Sequence, residues 1–177
     1  EGLYAPDRNP ITDLLAEEGI RALAAGLPQV SVAPTDLDAR GLCLYGAWLC
    51  GTVLGNVGMA LHHKLCHTLG GTFNLPHAQT HTCVLPHALA YNATSAPGAM
   101  QRIARALGAS SAAAGAYDLA ADNGAPMAMR DLGLAERDLD RAADLAAASP
   151  YPNPRPVERA ALRSLLDDAW HGRRPAS

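Results

Sequence analysis

The chain has 177 residues, 49% of them apolar and 18% charged, with a net charge of −3. That is enough chain for a single domain with a proper core, and too apolar for a disordered polypeptide. The cations are scattered, which argues against a nucleic-acid partner and against a polybasic membrane anchor. Ala, Leu and Gly dominate while Phe, Trp and Tyr are few, a composition that favours helices. Cys43, Cys50, Cys66 and Cys83 form no CxxC pair and sit in apolar surroundings, as small core residues of a reducing, cytoplasmic compartment do.

In chain order, the opening EGLYAPDRNP reads as the tail of a helix whose start lies upstream, so the chain is expected to be a fragment. Asn9 and Pro10 make a helix start, with an N-cap followed by Pro at the first helical position. That helix is expected to stop at Gly26, with Pro28 marking its end and QVSVAP following as a loop. Thr35 to Asp38 reads as a capping box with Asp in place of Glu.

The stretch from Gly41 to His63 carries no formally charged side chain, long enough to raise a transmembrane span. Its five glycines, Asn56 and its direct entry into a histidine cluster argue instead for a buried central helix or helix pair, broken near Asn56–Gly58. Further helices are expected over 96–107, 110–122, 126–132, 136–147 and 156–170. SPYPNPRP is a rigid connector before the last of them, and the tail GRRPAS is expected to fray. No strand, internal repeat or second domain is apparent. The expectation is one all-α domain over residues 1–177.

The chemistry concentrates in LHHKLCHTLGGTFNLPHAQTHTCVLPHALAYN, residues 61–92, which holds six of the seven histidines. His63 and His67 are one helical turn apart on one face. Gly70 and Gly71 are expected to close that helix, Pro76 to open the next, and His77 and His81 repeat the four-residue step. Two helices meeting at a Gly-rich turn then aim several imidazoles into one volume, a metal-binding or proton-transfer constellation. There is no HExxH, so spacing alone leaves the metal open. Cys66 lies between His63 and His67, where a core role outweighs a mixed Cys/His site. His62 and His87 read as structural. No GxGxxG, P-loop or GxSxG motif is present, so the chain alone offers no place for a nucleotide.

At these residues the sequence resembles the C-terminal helical half of the iron-containing (group III) alcohol dehydrogenase superfamily. That family's pattern is His-x-x-x-His, a Gly, then Pro-His and a Leu-Pro segment ending in Asn. Here it reads HKLCHTLGGTFNLPH followed by VLPHALAYN. Within the superfamily, EGLYAPDRNP, AEEGIRAL and YPNPRPVER are most similar to the maleylacetate reductase subgroup. The resemblance implies the helical domain of the dehydroquinate synthase-like fold, preceded by a dinucleotide-binding α/β domain, with the active site between the two.

It further implies that NADH or NADPH reduces a small keto-dicarboxylate, maleylacetate, to 3-oxoadipate in aromatic catabolism. His63 and His77 match the later two ligands of the metal-dependent members, whose upstream Asp-and-His pair would lie before Glu1. His67 matches the histidine credited with proton handling near the nicotinamide. The subgroup tends to carry Asn for that Asp and to work without metal. His63 and His77 are therefore either ligands of Fe²⁺ or Zn²⁺ or hydrogen-bond donors to the carbonyl or enolate oxygen. His81 and Lys64 are candidates for holding a substrate carboxylate, and the family suggests a homodimer. Two other readings are a metal-dependent dehydrogenase of a simple alcohol or aldehyde, and a helical metal-binding module without chemistry of its own.

Overall fold

Asn9 starts the first helix as expected: its side chain accepts from the amides of Ile11 and Thr12, and Thr12 answers on the Asn9 backbone. The computed structural model describes residues 1–176. Eight α-helices are found there: α1 Pro10–Val32, α2 Leu37–Leu54, α3 Leu61–Phe73, α4 His77–Asn92, α5 Pro97–Leu107, α6 Ala112–Asp122, α7 Leu139–Ala148 and α8 Arg159–His171. Short 3-10 turns occupy Gly2–Tyr4, Met129–Leu132 and Glu136–Asp138. No strand occurs among the described residues, so the all-α expectation holds.

Several boundaries differ from the sequence reading, each for a local reason. Helix α1 runs through Gly26 and Pro28 to Val32. Gly26 lies in a helix contact, where a Cβ would meet Cys43 Sγ at 2.8 Å, and so does not end the helix. Pro28 costs one amide donor, and the chain stays helical beyond it, with Ala33 N–H closing on the Gln29 carbonyl. The second helix is capped by Asp36, which accepts from Asp38 and Ala39, one residue after the expected Thr35. Helix α3 continues past Gly70 and Gly71 and ends at Asn74, whose left-handed φ of 55° supplies the cap. The segment 126–132 gives only a 3-10 turn, stopped by Gly133. The tail is tied down: Arg174 makes a two-pronged ion pair with Asp118 at 2.7 Å.

Two apolar cores share one helix. Leu61, Leu65 and Leu69 of α3 join Cys83 and Val84 of α4 and Leu139, Leu162 and Leu166 of α7 and α8. On the other side, Leu89 of α4 packs with Leu3, Ala16, Val53, Met100, Ile103 and Ala112. Helix α4 is therefore the buried central helix, with Thr80, Cys83, Val84, Pro86, His87, Ala88, Leu89, Tyr91 and Asn92 all buried. The expectation for residues 41–63 is corrected accordingly. Helix α2 buries only Ala39, Gly46, Leu49 and Val53, chiefly against α1, and leaves Leu44 70% and Trp48 65% exposed. No helix is long and apolar enough to cross a membrane among the described residues.

Of the five glycines between 41 and 58, Gly46 makes the close helix–helix approach. A Cβ there would stand 2.9 Å from the Gly19 carbonyl and 3.1 Å from the Leu23 amide. Gly51 has nothing within 4 Å. Gly46→Ala should therefore cost about 1–3 kcal/mol in urea titrations, since backbone cannot yield as a side chain does. Gly51→Ala should be neutral or stabilising by up to about 1 kcal/mol, through helix propensity.

Candidate active site

The break after α2 turns the chain so that α3 starts at Leu61 with no side-chain cap of its own. Its first turn is capped from a distance. Glu1 accepts from the backbone N–H of His62 at 2.6 Å and of Ala60 at 3.2 Å, and its other contact is Nδ1 of His63. Burial raises the Glu1 pKa, but the hydrogen bond from His63, together with the His62 ring and the Ala60 amide, more than offsets this and holds the carboxyl below its ordinary range.

The turn through Asn74 and Pro76 then aligns α4 against α3, and the imidazoles converge. Ring centres are 6.0 Å apart for His63 and His67, 5.1 Å for His63 and His81, and 4.3 Å for His77 and His81. The structure thus gathers the four histidines singled out for the site, with Lys64 on the same turn of α3. His62 is buried and bonds through Nε2 to the His81 carbonyl at 3.0 Å, tying α3 to α4, in keeping with a structural part. His87 is buried on α4 away from this group, and its Nε2 has no partner among the described residues.

Burial, followed by the neighbouring imidazoles of His63, His77 and His67, pulls the pKa of His81 down to about 4. At neutral pH it is an uncharged hydrogen-bonding ring, not a cation. Its Nε2 is buried without a hydrogen-bond partner among the described residues.

Two residues at the site escaped the sequence reading. Glu1 is one. The other is Tyr151 of the Pro-rich connector, whose hydroxyl lies 3.2 Å from His67 Nδ1 and whose ring centre is 5.5 Å from Lys64 Nζ. The connector is pinned for this purpose: Asn153 and Asn92 exchange amide hydrogen bonds at 2.9 and 2.7 Å, and Tyr91 donates to the Pro156 carbonyl. Arg155 stacks on the Tyr91 ring, 4.1 Å from its centre. The pairing of Pro and Asn in YPNPRP was the one available signal that this connector is held.

Among the described residues, two trios of potential metal donors lie within 4.8 Å: His62, Cys66 and His81, and Glu1, His62 and His63. Burial pushes the Cys66 thiol well above its ordinary range, which disfavours the thiolate a metal needs and keeps Cys66 in its core role. His63 Nε2 makes no hydrogen bond among the described residues, since its contact runs through Nδ1. Of the two ligands expected from the resemblance, His63 belongs to one of these trios and His77 to neither.

Residues 1–170 match the model of the Fe-containing alcohol dehydrogenase family, C-terminal domain, and the chain belongs to that family. It is 58% identical over its full length to the maleylacetate reductase of Pseudomonas knackmussii, covering 50% of that protein. Two solved structures superpose on 99% of the chain and 50% of their own: a candidate alcohol dehydrogenase from Ralstonia eutropha JMP134 (69% identity, TM-score 0.97) and the maleylacetate reductase of Agrobacterium tumefaciens (54%, 0.96). The chain thus spans about half the length of the relatives it matches.

Proposed function

We propose that this chain forms the helical half of the active site of an NAD(P)H-dependent reductase that converts maleylacetate to 3-oxoadipate. The observation that carries this reading is the convergence of His63, His67, His77 and His81 in a chain 58% identical to a named maleylacetate reductase. Hydride from the nicotinamide would add to the unsaturated keto-acid, and the protein must supply a proton and offset negative charge growing on oxygen.

His67 is the candidate acid: it is exposed, and the Tyr151 hydroxyl at Nδ1 leaves Nε2 open for a proton donated towards substrate. Lys64 supplies a cation for a substrate carboxylate beside the neutral His81 ring. His63 and His77 face the same oxygen, as hydrogen-bonding groups or as ligands. When bound, Fe²⁺ or Zn²⁺ would polarise that carbonyl.

The nucleotide and the dimer suggested by the family belong to the longer protein. The test joins the chain at Glu1 to the N-terminal half of the Pseudomonas knackmussii relative and follows NADH and NADPH oxidation with maleylacetate and with a simple aldehyde, before and after chelation. Maleylacetate is expected to be preferred by at least about tenfold in kcat/KM, the discrimination available to one charged substrate contact. Preference for the aldehyde, with activity lost to chelator, would instead support a metal-dependent alcohol dehydrogenase.

A further inference from the structure

The His63 ring has two nitrogens with different surroundings. Nδ1 meets the Glu1 carboxylate, whereas Nε2 has no hydrogen bond among the described residues. Glu1 is itself fixed: its side chain is 4% exposed and also receives the backbone N–H groups of His62 and Ala60. One carboxylate therefore caps the start of α3, where anions are favoured, and holds a ring borne by that same first turn.

We propose that Glu1 is the positioning residue of the site: by accepting the Nδ1 proton of His63 it fixes that ring's tautomer and angle, leaving the Nε2 lone pair open. This assignment rests on the reading of His63 as a member of the active site. A carboxylate behind an imidazole sets which nitrogen carries the proton and raises the basicity of the other. His63 then presents an acceptor at Nε2, suited to a metal ion or to a proton on substrate. In that tautomer Nε2 carries a lone pair and accepts rather than donates. The arrangement thus separates the two roles open to His63 and favours the ligand-like one.

The test uses the chain joined at Glu1 to the N-terminal half of the Pseudomonas knackmussii relative, which supplies the half that the chain does not cover. Imidazole ¹⁵N spectra would report the His63 tautomer in the parent, Glu1→Gln and Glu1→Ala proteins, with maleylacetate turnover measured on each. The parent should hold the proton on Nδ1. Glu1→Ala should move it to Nε2 and lower kcat by about ten- to hundredfold with little change in KM, the usual cost of losing such a partner. Glu1→Gln keeps an acceptor oxygen and should recover both the tautomer and most of the rate.

A parent ring protonated on Nε2, or a Glu1→Ala protein that loses turnover with its tautomer unchanged, would overturn the proposal and leave Glu1 a helix cap. His63→Ala separates this from the functional reading. Full maleylacetate turnover in that variant would count against the active-site assignment, whatever the tautomer spectra report about Glu1.

Discussion

His67→Ala, in the chain joined to a nucleotide-binding half, should lose about 100- to 10,000-fold in kcat, the range that positioned general acids contribute. The loss should appear equally in kcat/KM, because a proton delivered in the transition state adds nothing to ground-state binding. His67 is proposed for this task over its neighbours because of their surroundings. His62 is buried against the His81 carbonyl, and His81 is held neutral down to about pH 4. His67 is exposed, and its remaining contact is with the Tyr151 hydroxyl, which can orient the ring without fixing its charge. Tyr151→Phe should consequently reduce the rate far less, by about tenfold or below, since it removes one neutral hydrogen bond. Steady-state kinetics on the two variants decide this, and a His67→Ala enzyme with near-parental kcat would remove His67 from the proton step.

The second large effect concerns stability in acid. Burial holds the imidazoles of His62, His81 and His87 below their ordinary value of 6.5, to about 3, 4 and 4 respectively. An unfolded chain takes up these protons near pH 6.5, whereas the folded chain does not until the pH is far lower. The unfolded state therefore binds more protons in this window, and stability falls as pH drops from about 6.5 towards 4, with a plateau above. For His87, which is buried and has no partner at Nε2, the contribution is on the order of 3 kcal/mol at the acid end. His87→Leu should flatten part of that acid limb and be close to neutral near pH 7.5, because it also removes an unsatisfied buried nitrogen. Urea titrations at about pH 7.5 and pH 4.5 measure both. Equal acid sensitivity in parent and variant would refute the role given to His87.

What the sequence disclosed was mainly local. The four-residue steps from His63 to His67 and from His77 to His81 placed these rings on helix faces, and a turn before Pro76 was legible between them, although it is Asn74 and not Gly70 or Gly71 that makes it. A helix start written in short-range chemistry, Asn9 followed by Pro10, was also readable. Glu1 and Tyr151 were not, because their partners lie 62 and 84 residues away and nothing in their own neighbourhood marks the contact. The uncharged run over 41–63 misled for a related reason. An apolar helix looks the same in sequence whether the chain's own core covers it or, as with Leu44 and Trp48 of α2, that face is left open. The central place of α4 was hidden because its histidines drew it as a site element, whereas its buried face runs from Thr80 to Asn92. Gly26 was misread as a stop because a glycine that permits close packing and one that ends a helix carry the same letter.

The most direct measurement compares maleylacetate-dependent NADH or NADPH oxidation by three samples: this 177-residue chain, the nucleotide-binding half alone, and the two joined at Glu1. Turnover confined to the joined protein is the predicted result, because the histidine cluster has no nucleotide beside it until the other half is present. Turnover by the 177 residues alone, or none from a joined protein that is folded and binds the nucleotide, would contradict the claim that this cluster is half of a reductase active site.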